Sequence, residues 1–114
     1  MFYNLDEYEI RIFRDDSGEG YVAAILEMPG VSGCSDSPEK AFEELKTAFA
    51  LIRQSYEEDN EDMPEPFSRK QFSGQFRLRL PKDLHSLLAK KAMLDNVSLN
   101  QEVLFCIMKG LEIP

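Results

Sequence analysis

The sequence predicts an α+β protein made of two small domains. Three observations lead to this: strand-like alternation before residue 35, a long amphipathic helix pattern after residue 37, and a strand followed by two shorter helices after residue 73. A chain of 114 residues suffices for one ordinary domain or two very small ones. We predict domains at 1–66 and 67–114, with a linker over about 60–73, because the prolines at 64 and 66 exclude helix there.

The first domain begins with a predicted β-hairpin. Residues 9–14 and 21–26 read as two strands, and the Asp- and Gly-rich segment between them favours a turn. A short third strand is predicted within residues 28–34. Together these segments predict a small antiparallel sheet.

One helix is predicted to cover this sheet. Ser37 suits the N-cap, Pro38 the first turn, and Glu39 the positive end of the helix dipole. Apolar residues then recur at steps of three and four, and the helix is expected to end near residue 59 or 60. These residues form a single stripe that must lie on the sheet: Phe42, Leu45, Phe49, Ile52 and Tyr56.

The second domain begins with a predicted strand over residues 75–80. Successive side chains of a strand point to opposite faces, so the apolar residues Phe76, Leu78 and Leu80 share one face. The other face carries Gln75, Arg77 and Arg79. In the major groove of DNA, Arg can bond guanine and Gln can bond adenine through two hydrogen bonds. An ordinary edge strand with a solvated polar face is the simpler alternative.

Two amphipathic helices follow this strand. The first starts near Pro81, and its apolar stripe comprises Leu84, Leu87, Leu88 and Ala92. The second opens with a capping box in which Ser98 caps the backbone and Gln101 reaches back. Its apolar side comprises Val103, Leu104, Ile107, Met108 and Leu111.

Charge is divided unevenly along the chain. Residues 1–66 contain 17 Asp and Glu against 5 Lys and Arg, a net charge of −12. Residues 67–114 contain 4 acidic and 8 basic residues, a net charge of +4. The basic half could face DNA phosphates, whereas the acidic half should repel nucleic acid and attract a basic protein. Acidic surfaces also serve simply to keep proteins soluble.

Several classes of protein are disfavoured by composition. No apolar run approaches the roughly twenty residues that span a bilayer, and the N-terminus does not resemble a signal peptide. Cys34 and Cys106 lack zinc or redox spacing, and we expect both to be small, half-buried residues of a reduced cytoplasmic protein. The single histidine, His85, is expected at the surface. No cofactor or metal is predicted.

Residues 73–111 resemble the ribbon-helix-helix family of DNA-binding domains. In that family two chains pair their strands into a ribbon that enters the major groove. The resemblance implies a homodimer, because a lone strand leaves backbone N–H and C=O groups unpaired. It also implies that Gln75, Arg77 and Arg79 read bases. A DNA phosphate would bind at Ser98, Leu99 and Asn100, where helix N-terminal N–H groups are free.

The chain as a whole resembles the HicB family of antitoxins. The residues that carry this resemblance are Tyr21-Val22-Ala23, Pro29-Gly30, Ser35 to Ala41 and Pro64 to Pro66. The family pattern has Gly-Cys directly after the proline, whereas here the loop from Gly30 to Cys34 is longer. The resemblance implies a truncated ribonuclease-H-like fold before the ribbon-helix-helix domain.

It also implies a function. HicB antitoxins bind a small basic HicA-type toxin that cleaves messenger RNA. They also repress their own operon by binding operator DNA, either as a dimer or as a tetramer. The candidate toxin contacts are exposed acids: Glu57, Glu58, Asp59, Glu61 and Asp62. A solvated helix end is the simpler interpretation of such an acidic run, and the sheet edge is another possible contact.

The residues also bear on two other functions, a nuclease and a ligand-sensing regulator. Nuclease chemistry needs several converging carboxylates to hold two metal ions. Here Asp15 and Asp16 occupy a turn, and Glu39, Glu43 and Glu44 lie largely opposite the apolar stripe, so we expect no enzyme. The remaining alternative is a stand-alone ribbon-helix-helix regulator whose N-terminal domain senses a ligand.

Overall fold

The chain folds into two units, Met1–Ser73 and Gly74–Pro114, and a computed structural model describes all of residues 1–114. The units divide after Ser73, at the C-terminal end of the predicted linker, so residues 67–73 belong to the first unit. Three strands form one antiparallel sheet in the first unit, which also contains one helix, and the second unit contains two helices. The predicted α+β class is therefore confirmed. None of the helices is long and apolar enough to cross a membrane.

The sheet of the first unit is a simple meander. Strands β1 (Ile10–Arg14), β2 (Tyr21–Ile25) and β3 (Met28–Ser35) lie in the order β1-β2-β3, so β1 is an edge strand. The predicted hairpin is confirmed, with Ile12 opposite Ala23. The third strand is eight residues long, and its pairing with β2 is shifted between Ala24 and Ile25.

Helix α1 (Pro38–Asp59) covers one face of this sheet. The Ser37 hydroxyl accepts a hydrogen bond of 3.2 Å from the backbone N–H of Lys40, and Asn60 ends the helix in the left-handed region with φ of 51°. Both predicted ends are confirmed. The predicted stripe packs against a core contributed by all three strands, and it includes Leu45 and Phe49, which are buried.

Gly33 brings the backbone of α1 directly against β3. A Cβ atom at this position would lie 2.5 Å from the carbonyl oxygen of Ala41 and would also overlap the backbone of Leu45. No side chain larger than hydrogen fits without moving the helix. The sequence therefore sets a very short distance between helix and sheet.

The segment after α1 is packed onto the first unit. Met63 and Pro66 are buried, and the Tyr8 hydroxyl donates a hydrogen bond of 2.7 Å to the carbonyl oxygen of Pro64. A short 3-10 turn follows at Phe67–Arg69. Arg69 forms an ion pair with Glu7, which lies in a second 3-10 turn at Leu5–Glu7. Much of the predicted linker is thus a fixed part of the first unit.

The second unit consists of two helices that follow an irregular segment. Helices α2 (Lys82–Asp95) and α3 (Leu99–Gly110) pack on each other, and the predicted capping box of Ser98 and Gln101 is present. Pro81 is the N-cap of α2. Residues 75–80, which we call the recognition segment, are not a strand in the single chain. A strand needs a neighbouring strand, and the three strands of the chain all belong to the sheet of the first unit.

Candidate functional site

The second unit leaves most of its apolar residues open to solvent. Ala92 is the only apolar side chain of this unit that is buried, whereas Phe76 is 80% and Leu78 is 55% exposed. Side chains from the recognition segment, α2 and α3 line one apolar groove. Its walls include Phe76, Leu78, Leu80, Leu88, Val103 and Ile107. A single copy of this unit therefore lacks a closed hydrophobic core.

In the recognition segment, the apolar side chains line the groove and the polar side chains do not, as the alternation predicts. Phe76, Leu78 and Leu80 all line the apolar groove, and none of the three predicted base readers does. Gln75, Arg77 and Arg79 are exposed, and neither arginine forms an ion pair. Two guanidinium groups are therefore held within three residues of each other and open to an incoming ligand.

The predicted phosphate site lies at the N-terminus of α3. Ser98, Leu99 and Asn100 are exposed there. The Ser98 hydroxyl accepts a hydrogen bond of 3.0 Å from the N–H of Gln101, and the Ser98 N–H donates one of 3.2 Å to the Gln101 side chain. This capping leaves the N–H groups of Leu99 and Asn100 without an acceptor inside the helix. Together with the helix dipole, they can bind an anion.

A buried carboxylate in this unit escaped the sequence analysis. Glu102 is only 2% exposed, and its Oε1 lies 3.8 Å from the Lys91 ammonium and 3.9 Å from the Cys106 sulfur. Lys91 also donates a hydrogen bond of 3.3 Å to Asp95. This bond is the largest cause of a raised pKa of Lys91, and the negative charges of Asp95 and Glu102 raise it further. An acidic residue in a first helical turn normally indicates only a favourable dipole interaction, so no sequence signal marked Glu102 as buried.

The five acids predicted to contact a toxin lie around the C-terminal end of α1. All of them are exposed: Glu57, Glu58, Asp59, Glu61 and Asp62. Some already have partners, since Glu57 pairs with Arg53, Asp62 pairs with the N-terminal amine of Met1, and Glu58 accepts 3.0 Å from Gln54. The structure thus groups the five acids around one exposed helix end, and three of them are engaged by neighbouring groups.

The other residues considered from the sequence lie apart. Asp15 and Asp16 are exposed in the β1–β2 turn, and Glu39, Glu43 and Glu44 are exposed on α1. No group of three or more His, Cys, Asp or Glu side chains is arranged to hold a metal ion. His85 is exposed, as predicted. The expectation that both cysteines are half-buried is wrong, because Cys34 and Cys106 are free and exposed. Cys34 lies on the sheet face that α1 does not cover, since its neighbour Gly33 is the residue that α1 contacts.

A comparison with protein families bears on these surfaces. Residues 56–107 match the HicB family model. The chain is therefore similar to the HicB family over these residues, and the HicB family is associated with toxin–antitoxin systems. A search of curated proteins found no significant match.

The HicB match covers a particular part of the chain. It starts in the last turns of α1, includes the segment packed on the first unit, and continues through α2 and almost all of α3. Of the residues that carried the sequence resemblance to HicB, only Pro64 to Pro66 lie within it. The recognition segment, the α3 N-terminus and the acidic α1 end all fall inside the HicB match.

Proposed function

We propose that this chain is the antitoxin of a type II toxin–antitoxin pair. It binds and neutralises a HicA-type mRNA-cleaving toxin, and it represses its own operon by binding operator DNA as a homodimer. The second unit folds as a ribbon-helix-helix domain when two copies meet, and the first unit is a truncated ribonuclease-H-like domain. The protein acts in the cytoplasm by binding alone, without catalysis.

The observation that carries this proposal is the open apolar groove of the second unit. Its walls are built from side chains that a soluble chain normally buries, and the most exposed belongs to the recognition segment. A second copy would supply both missing elements at once. Its recognition segment would pair with residues 76–80 as a second strand, and its helices would cover the groove.

Pairing the two recognition segments would produce a surface suited to DNA. Phe76, Leu78 and Leu80 would face the helices of the dimer, so Gln75, Arg77 and Arg79 of both copies would share the outer face. A two-stranded ribbon fits the major groove. The N–H groups at Leu99 and Asn100 would hold the flanking phosphates.

Charge favours the first unit as the toxin-binding domain. Met1–Ser73 contains 17 acidic and 7 basic residues, a net charge of −10, whereas Gly74–Pro114 contains 4 acidic and 6 basic residues, a net charge of +2. Complementary charge mainly speeds the association of two proteins. We therefore expect a basic toxin to bind Met1–Ser73, with the acidic end of α1 as one candidate contact.

Co-expression with the toxin encoded beside this gene tests the proposal. The full chain should restore growth, and Met1–Ser73 alone, once circular dichroism shows that it is folded, should restore growth as well. Association with the toxin should slow as salt rises. Rescue by the full chain but not by the folded Met1–Ser73 would place toxin contacts in the second unit. Failure of both would refute the antitoxin role.

A further inference from the structure

The outer edge of β1 presents a row of free backbone groups. The N–H of Leu26 donates to the carbonyl oxygen of Glu9 at 2.9 Å, and the N–H of Asp15 donates to Gly20 at 2.8 Å. Hydrogen bonding alternates along an antiparallel strand, so the odd-numbered residues 9–15 bond to β2. The N–H and C=O groups of Ile10, Ile12 and Arg14 therefore point away from the sheet.

The side chains of this edge are unusual for the acidic first unit. Arg11, Arg14 and Lys70 form no ion pair, whereas the other four basic side chains of the first unit each pair with a carboxylate: Lys40, Lys46, Arg53 and Arg69. Each edge arginine instead lies over an aromatic ring, Arg11 5.5 Å from the ring of Phe13 and Arg14 5.6 Å from the ring of Tyr21. Ile12 is 45% and Phe13 is 42% exposed.

We propose that β1 pairs with β1 of a second copy of this chain, antiparallel and centred on Ile12. Ile12 would then face Ile12 of the other copy, and Ile10 would face Arg14. On the opposite face, each Arg11 would lie beside Phe13 of the other copy. The pairing converts two isolated sheets into one continuous sheet of six strands. It is isologous, meaning that both copies use the same surface, as in most protein dimers.

The residues of the strand favour this register over its neighbours. A shift that centres the pair on Arg11 would set two guanidinium groups opposite each other, and like charges directly opposite are destabilising. A shift that centres it on Phe13 would leave Ile10 and Arg11 to pair with the turn residues Asp16 and Asp15. Only the Ile12-centred register pairs all five residues of β1 and brings the Arg11 guanidinium of each copy beside Phe13 of the other.

Charge also favours a second copy over a basic partner at this edge. Two unpaired arginines would repel a basic protein, whereas Phe13 of another copy offers the ring face that a guanidinium prefers. The inference is independent of the antitoxin proposal, since it depends only on the first unit. In the full-length protein, two copies of the chain that already pair through their second units could also pair through their own β1 strands. Alternatively, β1 could join one such dimer to another and so form a tetramer.

Disulfide trapping of the full chain tests both the contact and its register. In a background that carries Cys34→Ser and Cys106→Ser, we would introduce either Ile12→Cys or Ile10→Cys. The two copies of position 12 would have Cα atoms about 5.5 Å apart, within the range of a disulfide. The two copies of position 10 would be about 14 Å apart, because they are four residues out of step. Positions 10 and 14 lie on the same edge and face as position 12 and are equally far out of step. Ile10 is half-buried, so Arg14→Cys, whose position is exposed, is added as the control matched in exposure and is expected to link as slowly as Ile10→Cys.

We expect Ile12→Cys to form disulfide-linked chains under mild oxidation at least about tenfold faster than Ile10→Cys. Equal rates, or faster linkage of Ile10→Cys, would overturn the proposal. Adding Phe13→Cys to the series identifies a shifted register, because linkage there and not at position 12 contradicts the Ile12-centred pairing.

A proline substitution gives a second readout that does not require new thiols. Ile12→Pro removes only an outward N–H, so it breaks no hydrogen bond within the sheet, and edge strands accept proline at such positions. If β1 joins dimers, sedimentation should show a tetramer for the protein with Ile12 and a dimer for Ile12→Pro. If β1 joins the two first units of one dimer, the mass is unchanged but ring signals of Phe13 shift in NMR spectra. No change in either measurement would refute the contact.

Discussion

The backbone N–H of Phe67 donates a hydrogen bond of 2.7 Å to the carboxylate of Glu27, forty residues earlier in the chain. The same carboxylate accepts the N–H of Glu9 at 3.2 and 3.3 Å. One side chain at the β2–β3 turn thus holds both the residue before β1 and the segment that leads to the second unit. The segment after α1 is positioned by this contact as well as by burial of Pro66.

Removing this carboxylate should release the segment around Phe67. Glu27→Ala leaves two backbone donors without their acceptor, so we expect the free energy of unfolding to fall by about 1–3 kcal/mol. Limited proteolysis should cut residues 67–73 faster, because Phe72 is already exposed. Glu19→Ala, an exposed acid in the β1–β2 turn, is the control and should change neither quantity. Unchanged cleavage would show that burial alone holds the segment.

Stability should fall in alkaline solution because of Tyr8. The pKa of Tyr8 is raised from 10.0 to about 12, and burial of the phenol is the largest cause. The neutral phenol is therefore favoured in the folded state, so stability is intact below pH 10 and is lost as pH rises towards 12, by at most about 3 kcal/mol. Denaturant unfolding at pH 8 to 11.5 should show this decline. Tyr8→Phe should be less stable at pH 7 but should depend less on pH, and an identical pH dependence would contradict the argument.

The two arginines of the recognition segment should determine base preference. Arg77→Ala and Arg79→Ala should each remove roughly 1–3 kcal/mol of discrimination between operator and scrambled DNA, because each loses a two-bond base contact. Neither arginine is buried, so the fold should not change. Gel-shift titrations against both DNAs measure the effect. Lys90→Ala, which also removes one positive charge, is the control, and equal weakening on both DNAs would show that the arginines touch only phosphate.

Assembly through the apolar groove should depend on Leu78. Leu78→Asp would place an unpaired charge in the core formed by two copies, which is strongly unfavourable, so we expect dissociation and loss of operator binding. Sedimentation equilibrium gives the mass. Leu94→Asp is the matched control, because Leu94 is similarly exposed but does not line the groove. A folded wild-type monomer at micromolar concentration would contradict the proposed dimer.

Lys91 should contribute more to the stability of the second unit than its exposed position suggests, because it lies beside the buried Glu102 carboxylate. Lys91→Ala leaves the buried Glu102 carboxylate without its nearby positive charge, so we expect a lower midpoint of denaturant unfolding. Glu102→Gln in the same chain should recover part of this loss, because a neutral amide costs less to bury. Lys90→Ala, one residue away, should have little effect. Additive effects of the two substitutions would show that the pair does not interact.

Local sequence patterns were sufficient for the elements of the first unit. The cap at Ser37, the stripe through Leu45 and Phe49, and the hairpin all depend on neighbours in sequence, and each was predicted correctly. The same holds for the capping box at Ser98. These features are encoded within single turns or strands, so no tertiary information was needed.

Features that depend on distant contacts were not predicted. Burial of Glu102 results from the packing of α2 on α3, and exposure of Cys34 results from the open face of the sheet. The recognition segment has strand-like alternation, yet it is not a strand, because a strand also needs a neighbouring strand and local alternation does not show whether one is present. The hydrogen bond from Phe67 to Glu27 likewise joins two positions that no local pattern relates.

The contact of Gly33 with the backbone of α1 has a consequence for protein engineering. Under the proposed function, directed evolution towards a new toxin would change the surface of the first unit. Here even Gly33→Ala would push the helix away from the sheet and disturb every residue that lies between them. Libraries should therefore leave position 33 fixed and diversify the outer side of α1 and the open face of the sheet, where added bulk meets only water.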